Sequence, residues 1–249
     1  MTILQATDVR RLFGPICAID GVSLHISEGE HVSIIGPNGA GKTTLVNVLT
    51  GMLTPSAGTV SFKGHDVSRL GPMRLARLGM ARSFQLVNIF PQLSVRETLA
   101  VAAMSNLGIG GRLHMGLRRN RAIWKIVERV ADLFGFSNKL DQTAKNLSQG
   151  DKKLLDVASA FALEPEIILL DEPTSGVSTA EKSKIMQVLV HAAKQTNIKA
   201  IIQVEHDMDI VFGYSSRIIA VHNGRILADG SPTTIRALTD VMATVVGRL

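Results

Sequence analysis

The segment that most restricts how this chain can fold is His31-Val32-Ser33-Ile34-Ile35, which runs directly into Gly36-Pro37-Asn38-Gly39-Ala40-Gly41-Lys42-Thr43-Thr44 and then into Leu45-Val46-Asn47-Val48-Leu49. A β-rich apolar run, a glycine-rich loop and a helical run make a strand-loop-helix unit that fits G-x-x-x-x-G-K-[ST]. The glycines let the backbone turn tightly and aim successive N–H groups at one point, and the helix N-terminus adds positive partial charge there. Such a cradle suits a chain of phosphates. Lys42 is expected to reach the β- and γ-phosphates and the Thr43 hydroxyl to ligate Mg²⁺. Gly36, Asn38, Gly39, Ala40, Gly41 and Thr44 complete the candidate lining. A glycine-rich turn with an incidental Lys-Thr is the plainer alternative, and the flanking strand and helix argue against it.

Short apolar β-rich runs alternate with longer helical patterns, which points to an α/β domain with a mainly parallel sheet. Residues 31–35, 167–170, 200–204 and 217–221 are near-continuous in apolar character, as strands covered on both faces are. The runs Leu4 to Val9, Val22 to Ile26 and Thr59 to Lys63 are shorter and alternate, so an antiparallel flank is expected at that end. From about Ser94 to Leu147 the β-branched runs give way to helical spacing, clearest in Ile123, Ile126, Val127, Val130, Leu133 and Phe134, with Gly135 placed to end that helix. This reads as an inserted helical subdomain.

A second motif accompanies the phosphate loop. Ile167-Ile168-Leu169-Leu170 delivers Asp171 and Glu172 at the C-terminal end of a buried strand, where ligands bind in open α/β sheets. The first acid can hold Mg²⁺ and the second can orient or deprotonate an attacking water. Alone, the pattern more often describes just a strand leaving the core. Its weight comes from the phosphate loop upstream.

Charge and composition bound the partners. The chain has 27 Lys+Arg against 21 Asp+Glu, a net charge of +6, which suits an acidic partner. Eight Phe, one Trp and one Tyr supply little of the stacking platform that single-stranded nucleic acid requires, but composition alone leaves the partner open. One cysteine, Cys17, excludes an internal disulfide and a cysteine-built metal site and fits a reducing compartment. No basic-plus-apolar leader and no run of about 20 apolar residues is visible, so a soluble or peripheral chain is expected.

Taken together, the motifs resemble the nucleotide-binding subunit of an ATP-binding cassette transporter. Leu147-Ser148-Gln149-Gly150-Asp151 is similar to that family's signature segment, Gln85 after Ala81-Arg82-Ser83-Phe84 to its Q-loop, and His206 in Glu205-His206-Asp207 to its switch histidine. Phe13 stands where the family has the aromatic that stacks on adenine. Two departures stand out: Gln149 and Asp151 replace the usual Gly and Gln of the signature, and Ser178 stands where many members have Asp. Within the family the chain is most similar to the branched-chain amino acid and urea-amide importer group, through Gly79-Met80-Ala81-Arg82-Ser83-Phe84-Gln85, Glu205-His206-Asp207-Met208 and the segment from Asn223 to Pro232.

The resemblance implies a P-loop NTPase core with a mixed, mainly parallel sheet, an antiparallel β flank and an inserted helical subdomain. Residues 1–84 and 148–222 would form the nucleotide-binding core, 85–147 the helical subdomain and 223–249 a C-terminal tail. It implies ATP and Mg²⁺ as cofactors. Glu172 would orient the attacking water, and Asp171, Thr43 and Gln85 would serve Mg²⁺ or its waters. His206 and Lys42 would act on the γ-phosphate, and Ser148 and Gly150 would close over the nucleotide of a second cassette subunit, identical or paralogous, in a head-to-tail dimer. The other implied partners are integral membrane permease subunits and an extracytoplasmic solute-binding protein, and not nucleic acid, with the chain peripheral on the cytoplasmic face of the inner membrane. Import of branched-chain amino acids or related small polar solutes is the expected task. Powering an envelope-lipid transporter of the lipopolysaccharide type, or soluble non-transport work, remain the alternatives.

Overall fold

In the computed structural model the described residues are 1–83, 90–108 and 120–246. In chain order they form β1 (Thr2–Phe13), β2 (Ile16–Ser27), β3 (His31–Ile35), α1 (Lys42–Leu49), β4 (Ala57–Phe62) and β5 (His65–Asp66). Next come α2 (Pro72–Arg77), β6 (Met80–Arg82), α3 (Val95–Asn106), α4 (Arg121–Leu133), α5 (Gln149–Phe161), β7 (Ile167–Asp171) and α6 (Thr179–Lys194). The chain ends in β8 (Ala200–Val204), α7 (Met208–Tyr214), β9 (Arg217–His222), β10 (Arg225–Gly230), α8 (Pro232–Ala237) and α9 (Thr239–Val246). Two compact units result, one from Met1–Leu75 with Lys199–Leu249 and one from Ala76–Ile198.

The first unit holds two sheets. An antiparallel sheet of order β2-β1-β4-β5 is the expected β flank. Its two long strands extend well past the alternating runs of the sequence, because register shifts at several points along β1 break the period-two pattern. The second sheet runs β10-β9-β3-β8, with β3 parallel to β8 and β9 and with β9 antiparallel to β10. Strands β3, β8 and β9 are buried almost throughout, which is why their sequences read as apolar without alternation. Ile35, Val211, Ile218, Ala220, Ile235 and Val241 form a core cluster here, so α7, α8 and α9 cover the strands that carry the phosphate loop.

The second unit pairs β6 and β7 in parallel, Arg82 opposite Leu169, and adds α3 to α6. Helix α4 buries Ile123, Ile126, Val127 and Val130, the stripe that its spacing predicts, and Gly135 follows directly on its C-cap, Phe134. The Phe134 ring meets Phe161 of α5 edge-on at 4.9 Å between centroids. Helix α3 starts in a capping box in which Ser94 and Glu97 satisfy each other's backbone N–H groups. Among the described residues no helix is long and apolar enough to cross a membrane.

Candidate functional site

In the first unit the loop between β3 and α1 is shaped by its own lysine and by a neighbouring turn. Lys42 is buried at 6% exposure, and its Nζ donates to the carbonyls of Gly36 at 2.7 Å and Pro37 at 2.8 Å. The amine thus spans the loop from inside and fixes its curvature. Thr43 is exposed and Thr44 half-buried, in the first turn of α1. Asn38 and Gly39 stand out to solvent, while Ala40 is packed inside. A group bound against this loop meets backbone N–H donors, the α1 N-terminus and one cation, the set that recognises phosphate.

One contributor went unread in the sequence. Asn223 and Gly224 form a two-residue turn between β9 and β10, both at positive φ, +48° and +74°. The Gly224 N–H donates to the Ala40 carbonyl at 2.9 Å, and its carbonyl accepts from the Asp20 N–H at 2.9 Å. A Cβ at 224 would lie 2.7 Å from the Ala18 carbonyl oxygen, so only glycine lets the turn sit this close to β2. The signal was available as Asn-Gly between two β-rich runs.

Phe13 closes β1 opposite Ile16 and is 43% exposed. The Arg11 guanidinium covers it at 4.7 Å from the ring centroid. His206 is exposed between two anchored acids: buried Glu205 accepts from the His206 N–H at 3.1 Å, and Asp207 caps α7 by accepting from the N–H groups of Asp209 and Ile210. The imidazole therefore projects from the point where β8 ends and α7 begins.

In the second unit the two acids after β7 take different settings. Asp171 is buried at 4% exposure and accepts from Arg82 Nη2 at 2.9 Å. Removing one member of so buried a pair typically costs about 3–5 kcal/mol, and the Arg82 contact fixes the orientation of the Asp171 carboxyl. Glu172 is half-buried in a left-handed backbone conformation, φ +50°, which a side chain of its type adopts only when its surroundings impose it. The structure supplies those surroundings: the Glu172 carbonyl accepts from the Ser175 N–H at 3.1 Å and from Lys153 Nζ at 3.4 Å, and the same ammonium reaches Ser175 Oγ at 2.9 Å. Lys153 is itself buried on α5. The helix that opens with the signature segment thus grips the turn that carries Glu172.

That helix begins at Ser148, whose hydroxyl caps it by accepting from the Asp151 N–H. Asp151, one of the two departures, turns to Lys139 Nζ at 2.8 Å, so its charge is neutralised within the unit. Ser178, at another departure from the family pattern, caps α6 in a capping box with Glu181. The Ser178 side chain and backbone donors hold the Glu181 carboxyl below the usual glutamate range. A Cβ at Gly150 would come 2.9 Å from Glu181 Oε1, so the α5 and α6 N-termini stand close together. Gln85 lies outside the described residues, as do Arg112, Arg118 and Arg119, three basic residues of the acid-free run between Thr98 and Val127.

Residues 19–175 match the family model described as ABC transporter. The chain belongs to that family. This ABC transporter chain is 36% identical over 252 residues to the high-affinity branched-chain amino acid transport ATP-binding protein LivG of Salmonella typhimurium, with 98% of each chain covered. To the corresponding BraF protein of Pseudomonas aeruginosa it is 31% identical, again with 98% of each covered. Among solved structures, an ATP-binding cassette of an ABC transporter superposes with a TM-score of 0.87 at 28% identity, covering 100% of this chain and 99% of that one. The ABC fold, an α/β cassette with a mixed sheet, an antiparallel sheet and helices, is therefore that of this chain.

Proposed function

We propose that the chain is the ATP-hydrolysing motor subunit of an importer for branched-chain amino acids or related small polar solutes. The observation that carries this is the match along 98% of its length to two proteins named for branched-chain amino acid transport. In this reading the phosphate loop binds the triphosphate through the backbone of Gly36 and residues 38–44, with Lys42 turning its amine from loop carbonyls to phosphate oxygens. Phe13 stacks on the adenine. Glu172, presented by its imposed backbone turn, orients the attacking water and accepts its proton, and His206 donates to the γ-phosphate. Ser148 and Gly150 close over the nucleotide of a second cassette and bring an α-helix N-terminus to its γ-phosphate, which excludes water and adds donors where charge develops.

Mg²⁺ fits the residues present. The Thr43 hydroxyl and the Asp171 carboxylate are hard oxygen donors of the type this ion takes, and Gln85 adds a third in the same reading. When bound, the ion neutralises charge on the β- and γ-phosphate oxygens. Permease subunits, a second cassette and an extracytoplasmic solute-binding protein complete the assembly we propose, at the cytoplasmic face of the membrane. The division into a nucleotide-binding core, 1–84 and 148–222, a helical subdomain, 85–147, and a tail, 223–249, belongs to the same proposal.

Glu172→Gln tests the catalytic assignment. It removes the basic carboxylate while keeping shape, so steady-state hydrolysis should fall by two orders of magnitude or more, roughly the worth of a positioned general base. ATP should now trap a stable dimer, visible by size-exclusion chromatography. Unchanged turnover would remove Glu172 from this role.

A further inference from the structure

The ring assigned to the base has only one side left to offer. Arg11 and Phe13 project from the same side of β1, and the guanidinium carbon lies 4.7 Å from the ring centroid. The arginine is not a loose surface group. Its Nη1 donates to the Thr54 carbonyl at 2.8 Å, and its Nε is buried. The loop that follows α1 also anchors the strand on either side of it: Leu12 N–H donates to Ser56 Oγ at 3.1 Å, and Ser56 N–H donates to the Arg10 carbonyl at 2.7 Å. Phe13 is 43% exposed although a cation covers part of it, so the uncovered portion of the ring faces outward.

We propose that Arg11 is a positioning residue for nucleobase binding: clamped to Thr54, it backs one face of the Phe13 ring, fixes its orientation and leaves the opposite face to the base. The inference rests on the assignment of Phe13 to the adenine and extends it. The physical reason is twofold. A cation over an aromatic face is attracted to the ring's negative quadrupole, so the ring is held in one rotamer before any ligand arrives. That spares ordering entropy on binding. The guanidinium also withdraws electron density towards itself, which makes the opposite face a better partner for an electron-rich purine. Arg is suited to this because its planar fork stacks on a ring while donating sideways to a carbonyl.

The consequence is selective: Arg11 should matter for the base and not for the phosphates. Binding of MgATP and of magnesium tripolyphosphate, which has no base, is measured by calorimetry for the wild type, Phe13→Ala, Arg11→Ala, Arg11→Lys and the double variant, after thermal melts establish that each is folded. Phe13→Ala should weaken ATP and spare tripolyphosphate. Arg11→Ala should weaken ATP roughly two- to fivefold, the range of a partly exposed cation–π contact, and leave tripolyphosphate unchanged. Arg11→Lys keeps the charge but not the planar fork, so it should recover only part of the loss. In the Phe13→Ala background Arg11→Ala should add nothing, since no ring remains to position. If Phe13→Ala weakens ATP but Arg11→Ala does not, the inference about Arg11 fails while the role of Phe13 stands. Should Phe13→Ala itself leave ATP binding intact, the base-stacking reading fails and takes the inference with it. Equal weakening of ATP and tripolyphosphate by Arg11→Ala overturns the inference by placing Arg11 on the phosphates or the fold.

Discussion

Gly36 is where β3 hands over to the phosphate loop, at φ +154°. A Cβ there would stand 2.2 Å from the Val221 carbonyl oxygen, a backbone atom of the neighbouring strand that cannot move aside cheaply. Gly36→Ala should therefore destabilise the chain by about 2–4 kcal/mol in urea unfolding and weaken nucleotide binding with it. The residue scale also shows what a sequence carries and what it hides. Lys42, Asp171 and Glu172 were legible because local spacing and flanking strands dictate their setting. Arg82 was read only as part of a motif, since its pairing with Asp171 joins positions 89 residues apart through the parallel alignment of β6 and β7. The grip of Lys153 on the Glu172 turn was hidden for the same reason: nothing in a helical run of lysines says which one points inward.

At the scale of elements, α3, α5 and α6 begin at hydroxyl caps, and two of these are capping boxes. Ser94→Ala should cost about 1 kcal/mol of stability, the usual worth of a cap. Its pH dependence has a definite sign. Ser94 donors hold Glu97 below the ordinary glutamate range, so the stabilisation is complete above the unfolded value and is lost as pH falls through the lower folded one. The gap between wild type and Ser94→Ala in unfolding free energy should be flat from pH 7 to about 5 and shrink below about 4. Ser178→Ala should behave in the same direction through Glu181, whereas Ser178→Asp should keep the cap, because aspartate serves as well at that position. The serine that departs from the family pattern thus preserves the local geometry that an aspartate would supply. Strands are legible in the sequence where both faces are buried, as in β3, β7, β8 and β9, and less so in β1 and β2, whose register shifts erase the alternation.

Across the whole molecule the charge is uneven. Between Thr98 and Val127 no acidic residue occurs, while Arg112, Arg118, Arg119, Arg121 and Lys125 supply five of the 27 basic ones, leaving 22 against 21 elsewhere. Arg121 and Lys125 lie on the exposed face of α4. Replacing all five by glutamine should lower recruitment to anionic vesicles in a flotation assay and leave ATP affinity unchanged; equal recruitment would mark the patch as a solvated face. The first unit is also assembled from both ends of the chain, and the Asn223–Gly224 turn ties its late portion to its early one. During synthesis the glycine-rich loop leaves the ribosome long before Gly224 exists. At roughly 5–20 residues per second that interval is on the order of ten seconds or more. Throughout it the nascent chain carries the complete phosphate-binding sequence without the backbone donor that Gly224 gives to Ala40.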